Sequence, residues 1–167
     1  MTQEEENILM ATARKAMKYS GNIVEIGLGH GENTLQLLKL AKEFDKKVIG
    51  IDPFDNNMPE SYRYSIEDFY HRIVGYEDYL ILHRRPSQCK TSWDILEQEI
   101  CFAFVDGLQY AGAVMNDLYC VEHSPVIVAD DYNRISNESQ VCYAVDLFKE
   151  QTGKKLKVIE RWAILTA

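Results

Sequence analysis

The chain has 167 residues and a formal net charge of −8 at pH 7. That length suits one domain with a full core, so a single domain over 1–167 is expected. The acidic balance argues against a nucleic-acid backbone or an anionic membrane as the main partner, because both reward positive charge.

Residues 3–19 set Ile8, Leu9, Ala13, Ala16 and Met17 at a helical period, and Ser20-Gly21 stops them. Ile23, Val24 and Ile26 read as a buried first strand, followed by Gly27, Gly29 and Gly31 and then a helix over 32–44. A second apolar strand over 47–52 ends in Asp52. The run from Pro53 to Glu60 holds two prolines and two asparagines and reads as a loop. An aromatic-rich helix is predicted over 61–75 and a third strand over 79–83, followed by Pro86-Ser87-Gln88. A short helix over 92–99 precedes a fourth strand over 101–106, which again ends in an acid, Asp106. A helix over 109–122 leads to a fifth strand over 126–131, ending in Asp130 and Asp131. A helix over 139–151 is closed by Gly153. The runs 156–160 and 162–165 are too close for a crossover helix, so an antiparallel hairpin or one long bent strand is expected. Strand–helix alternation with apolar strands predicts an α/β fold, its mostly parallel sheet covered by helices on both faces.

The stretch 22–31 is the chemical centre of this pattern. A strand, a glycine turn and a helix N-terminus let a ligand lie against bare backbone while the first helical amides point at it. The third glycine comes one residue earlier than in a dinucleotide fingerprint, and Glu32 stands where that glycine would be. Glu25 precedes the turn; it would repel a pyrophosphate and suit a cationic ligand. Asp52 ends the second strand near the usual spacing for a carboxylate that accepts from ribose hydroxyls. The alternative is a plain tight turn and a solvated aspartate.

Asp52, Asp106, Asp130 and Asp131 all fall at C-terminal ends of strands, the edge where open α/β sheets bind ligands. Asp106, Asp130 and Asp131 converge if their strands flank the first. Three ionised carboxylates in a small space call for a cation, and a hard divalent ion such as Mg²⁺ takes such oxygen ligands. The alternative has one aspartate capping a loop and the other facing solvent. Cys89, Cys101, Cys120 and Cys142 show no C-x-x-C spacing, sit among apolar neighbours and read as reduced core thiols. The acidic first seven residues lack a signal-peptide charge pattern, and no apolar run approaches the ~20 residues of a membrane span. A cytoplasmic protein is expected.

Glu25-x-Gly27-x-Gly29-x-Gly31 with Asp52 resembles class I S-adenosylmethionine-dependent methyltransferases. Phe104-Val105-Asp106-Gly107, Asn116-Asp117-Leu118, the Asp130-Asp131-Tyr132 run and Cys142-Tyr143-Ala144-Val145 are similar to the small-molecule and macrolide-sugar O-methyltransferase branch. The resemblance covers about residues 21–150. It implies a Rossmann-like methyltransferase fold with a seven-stranded sheet and a C-terminal antiparallel hairpin. It implies S-adenosylmethionine as cofactor, with Glu25 at the methionine amine. Gly27, Leu28, Gly29 and Gly31 would form the cradle, Asp52 with Pro53 would take the ribose side, and Ser87 the adenine end. It also implies Asp106, Asp130 and Asp131 around Mg²⁺, Asp106 lying beside the cofactor; the base would then be Asp106 or a metal-bound hydroxide. The partner implied is a small-molecule hydroxyl acceptor, such as a sugar, with no nucleic acid and no membrane. The sequence departs from the branch at Leu108-Gln109, where an acid–His pair is usual, and at His123-Ser124-Pro125, where Pro-Gly-Gly is usual. It is also short, and a homodimer would cover its open pocket and sheet edges. Rival readings are a binding module without turnover, a nicotinamide-dependent enzyme and a metal-independent methyltransferase.

Overall fold

A computed structural model describes residues 2–55, 64–89, 98–133 and 140–167. In chain order the elements are α1 (Gln3–Ala16), β1 (Asn22–Ile26), α2 (Glu32–Glu43), β2 (Val48–Ile51), α3 (Ile66–Arg72), β3 (Leu80–His83), β4 (Ile100–Val105), α4 (Ala111–Cys120), β5 (Val126–Ala129), α5 (Val141–Thr152), β6 (Lys155–Ile159) and β7 (Trp162–Thr166). The seven strands form one sheet in the order β3-β2-β1-β4-β5-β7-β6. β1 to β5 pair in parallel, and β7 lies antiparallel to both β5 and β6. The hairpin reading of the C-terminal runs and the Rossmann-like methyltransferase fold are both borne out.

Alternation along each strand sorts the core into two layers. Ile23, Val48, Phe102 and Phe104 face one side, where Leu9 of α1, Leu37 of α2 and Phe69 of α3 pack. Val24, Ile26, Ile49, Ala103 and Val105 face the other, against Leu118 of α4 and Phe148 of α5. The central strands β1, β2, β4 and β5 are apolar on both faces because helices cover both. Edge strand β3 is only half-buried. Cys101 and Cys120 lie in the core as expected, but Cys89 is half-buried and Cys142 is exposed on α5.

Boundaries differ from expectation for local reasons. α1 opens with a reciprocal Thr2–Glu5 capping box and stops at Ala16 rather than 19. α3 starts at Ile66, where the Ser65 hydroxyl accepts from the Asp68 amide; the earlier start at 61 falls outside the described residues, as does 92–97 of the helix expected over 92–99. α4 spans less than the expected 109–122. α5 ends on Gly153 in the left-handed region (φ 72°), as the sequence predicts. β5 ends at Ala129, so Asp130 and Asp131 lie just past the strand rather than within it, and Asp131 turns the chain with φ 59°. Among the described residues no helix is long and apolar enough to cross a membrane.

Candidate active site

The glycine turn hangs between β2 and β4. The Gly27 amide donates to the Ile51 carbonyl (2.9 Å), and the Asp106 amide donates to the Ile26 carbonyl (2.8 Å). Gly27 has φ 85°, and a Cβ there would stand 2.1 Å from the Asp106 carbonyl oxygen. Gly31 opens α2 with φ 82°, and a Cβ there would meet the Phe69 ring at 2.8 Å. Both positions need glycine for the protein's own packing. The Leu28 side chain turns down into the core, leaving its backbone to the surface of the turn.

A cavity of about 710 Å³ opens over this turn. It follows the C-terminal edge of the sheet, from Pro53 and Ser87 after β2 and β3 to Asp106, Asp130 and Asp131 after β4 and β5. Gly27, Leu28, Gly29 and Asp52 also line it. The volume lies within the roughly 300–1,000 Å³ usual for small-molecule sites. The wall is acidic, with Glu32 and Asp55 adding to the aspartates. His30 stands at the rim, edge-on to the Tyr64 ring (centroids 4.7 Å apart).

Asp52 ties the turn together. Its Oδ2 accepts from the amides of Leu28 (2.9 Å) and Gly29 (3.3 Å), and its Oδ1 accepts from the Phe54 amide (2.8 Å). The acid expected to meet a ribose therefore also fixes the backbone that would cradle it. Ser87 is buried; its hydroxyl accepts from Gln88 Nε2 (2.8 Å) and its carbonyl from Asn116 Nδ2 (3.2 Å).

Glu25 and Gly31 do not line the cavity. Alternation puts Glu25 on the Ile23 side of the sheet, one layer beneath the turn. It is fully buried, and neither carboxylate oxygen has a hydrogen-bond partner among the described residues. Burial pushes its carboxyl up to about 8; the nearby Thr34 hydroxyl offsets part of this without reaching hydrogen-bonding geometry, and the Asp52 charge adds to it. An orphaned buried carboxyl under a glycine turn is a feature that a cationic ligand would relieve.

At the other end of the cavity a cation is already in place. Arg161 Nε donates to Asp130 Oδ1 (2.5 Å), and its terminal nitrogen donates to Asp130 Oδ2 (2.7 Å) and Asp131 Oδ1 (2.5 Å). Gln109 Nε2 donates to Asp131 Oδ2, and the Asp131 amide to Asp130 Oδ1 (2.6 Å). Burial opposes the Arg161 charge, but Asp130 and Asp131 outweigh it and hold the guanidinium protonated. Burial, with the Asp131 charge, pushes Asp130 up to about 6 against the pull of Arg161. Asp106 is only half-buried, its outer side on the cavity, yet crowded by protein. Its carboxyl is pushed well above the ordinary range by that desolvation first and by Asp130 and Asp131 next.

The structure thus brings Asp106, Asp130 and Asp131 together as the sequence predicts, but the Mg²⁺ expected between them does not fit the donors as they stand. Among the described residues no group of three His, Cys, Asp or Glu side chains is disposed to hold a metal ion. All four oxygens of Asp130 and Asp131 accept from protein N–H groups. Sequence reasoning missed Arg161 and the role of Gln109. The signal for Arg161 was its place at the tip of the hairpin beside β5.

The model of a family described as a methyltransferase domain matches residues 24–132. The fold is similar to CalS11, a TDP-rhamnose 3'-O-methyltransferase in calicheamicin biosynthesis, at 13% identity, TM-score 0.70, covering 98% of this chain and 79% of that one. It is similar to the O-methyltransferase NovP at 13% identity and TM-score 0.75, covering 95% and 78%. It is also similar to TomG of Streptomyces achromogenes, an O-methyltransferase solved with S-adenosylmethionine, at 15% identity and TM-score 0.64, covering 99% and 79%. No curated protein matches.

Proposed function

The chain belongs to this methyltransferase-domain family, and from that premise we propose that it moves a methyl group from S-adenosylmethionine to a hydroxyl oxygen of a small molecule or sugar. The observation that carries the reading is one continuous cavity joining the glycine turn to Asp106. The cofactor, when bound, supplies an electrophilic methyl on a sulfonium. The acidic wall suits its positive charges. The Gly27–Gly29 backbone, braced by Asp52 and flanked by Pro53, would hold the methionine and ribose portions, and buried Ser87 would border the adenine end.

The acceptor would lie beside Asp106. Asp106 would take the hydroxyl proton as that oxygen accepts the methyl group, the new C–O bond replacing the C–S bond. A carboxyl held above its ordinary range is a better proton acceptor once ionised. The sulfonium would be left as a neutral thioether. The acid-rich lining disfavours phosphorylated acceptors at this end, and neutral hydroxyl compounds meet no such penalty. One sheet running through β1 to β7 supports reading 1–167 as a single domain. A second copy across edge strand β3, where Ile81 is 40% exposed, is the form a homodimer would take.

Calorimetry with S-adenosylmethionine, with NAD as control, tests the cofactor. Saturable heat with the former alone is expected; its absence refutes the reading. Asp106→Asn is expected to lower kcat by about 10²–10⁴-fold, with cofactor affinity nearly kept, as for loss of a general base. An active Asp106→Asn variant would remove Asp106 from the chemistry.

A further inference from the structure

We propose that the Arg161 guanidinium takes the place a divalent cation would occupy between Asp130 and Asp131, so that methyl transfer by this chain needs no metal ion and Arg161 acts as the positioning residue of the acceptor end. The inference rests on the methyltransferase reading above and deepens it.

The geometry leaves no shared occupancy. Mg²⁺ requires oxygens at about 2.0–2.1 Å in near-octahedral array. Arg161 nitrogens already stand 2.5–2.7 Å from both oxygens of Asp130 and from Oδ1 of Asp131. The remaining Asp131 oxygen accepts from Gln109. Gln109 stands where the resembling branch carries an acid–His pair. An amide donor there suits a carboxylate that is already charge-compensated, and it adds no anionic ligand.

The arginine is built into the fold. β5 and β7 pair with Ala129 opposite Ala163. Extending that antiparallel register by two residues sets Arg161 opposite Asp131, and the Tyr132 amide indeed donates to the Arg161 carbonyl (2.9 Å). The hairpin turn is two residues long, Glu160 and Arg161, with Glu160 in the left-handed region (φ 52°). Asn133 Nδ2 donates to the Glu160 carbonyl (2.6 Å), which ties the turn to the segment after β5 a second time. At the root of the turn, buried Trp162 packs on Phe104, and its ring nitrogen donates to the Glu5 carbonyl (3.2 Å). A side chain launched from so braced a turn keeps its bidentate geometry, which a planar guanidinium matches better than a point charge.

The test measures Mn²⁺ binding by calorimetry and thermal unfolding, and methyl transfer in EDTA against added Mg²⁺. For the wild-type protein we expect no Mn²⁺ heat and less than about twofold change in transfer between EDTA and Mg²⁺, since no step depends on a Lewis acid. Arg161→Gln frees the carboxylates; it is expected to gain Mn²⁺ heat and a rise of Tm with Mn²⁺ that the wild type lacks. Two results would overturn the proposal: wild-type transfer lost in EDTA and restored by Mg²⁺, or a folded Arg161→Gln that binds no Mn²⁺. If that variant does not fold, the wild-type arm decides alone. S-adenosylmethionine heat measured on the same wild-type sample separates the two failures. Its absence ends the methyltransferase reading, while the Mn²⁺ arm still reports on the carboxylate cluster.

Discussion

Glu25→Gln is expected to make the protein more stable at neutral pH and to flatten part of its stability profile. Glu25 is fully buried without a hydrogen-bond partner among the described residues, and its carboxyl rises from 4.5 to about 8. Between those values the native chain holds a proton that the unfolded chain has released. Stability contributed by this group is therefore greatest below pH 4.5, falls as pH rises through the interval, and levels off above pH 8. At about 1.4 kcal/mol per pH unit the whole interval is worth about 5 kcal/mol, of which about 3 kcal/mol is already lost at pH 7. Glutamine buries a neutral group of the same shape and carries no such slope. The two proteins converge near pH 4.5, and the variant gains about 2–4 kcal/mol at pH 7. Urea unfolding of both proteins at pH 5, 6, 7 and 8 reads the difference directly. Asp117 and Asp130 also rise on folding, but they are common to both chains and cancel in the comparison; Asp106 cancels except for the part of its rise that comes from the Glu25 charge, the last of its causes. A difference that stays constant with pH, or a variant less stable at pH 8, would refute the assignment of a neutral buried Glu25.

Gly27→Ala places a methyl against the Asp106 carbonyl in a left-handed backbone; a loss of about 2–4 kcal/mol by chemical denaturation is expected, together with loss of cofactor binding. Asp52→Asn keeps shape but turns one acceptor into a donor facing the Leu28, Gly29 or Phe54 amides. It should cost about 1–3 kcal/mol and weaken S-adenosylmethionine binding by calorimetry, and unchanged affinity would show that the turn holds its form without Asp52.

Strands β2, β4 and β5 were legible because each is an uninterrupted apolar run, as a parallel sheet covered on both faces demands, and β1 breaks its run only at Glu25. Spacing alone narrowed the C-terminal runs to a hairpin or one long bent strand, since no crossover fits between 160 and 162, and the structure makes them the hairpin. Helix ends were less legible, because Ser65 and Met17 set them by local hydrogen bonds that apolar period does not report. Within the site, the carboxylates at the strand ends were readable, as topology brings all strand ends to one edge. Two finer points were not. Strand alternation puts Glu25 on the Ile23 side, away from Val24 and Ile26, so the acid before the glycines lies under the cavity rather than in its wall. Arg161 is thirty residues from Asp131 in sequence, and only the antiparallel register joins them. A cluster of three acids invites a metal when the search for a counter-charge stays among the parallel strands.

The two halves of the sheet then divide the work. The parallel strands β1 to β5 send their chain ends to one edge, and a carboxylate or a glycine directly follows β1, β2, β4 and β5, while Arg84 follows edge strand β3. After β4 and β5 that arrangement gathers Asp106, Asp130 and Asp131, where the helices' N-terminal turns offer only partial charges. The antiparallel strand β7 runs the other way. Its first residues, not its last, reach the ligand edge, so the turn before it can deliver a side chain there. Arg161 is that side chain. The terminal hairpin is thus more than a lid on the sheet's edge: its direction brings a fixed cation to Asp130 and Asp131, leaving Asp106 as the one of the three cavity-lining aspartates that Arg161 does not hydrogen-bond.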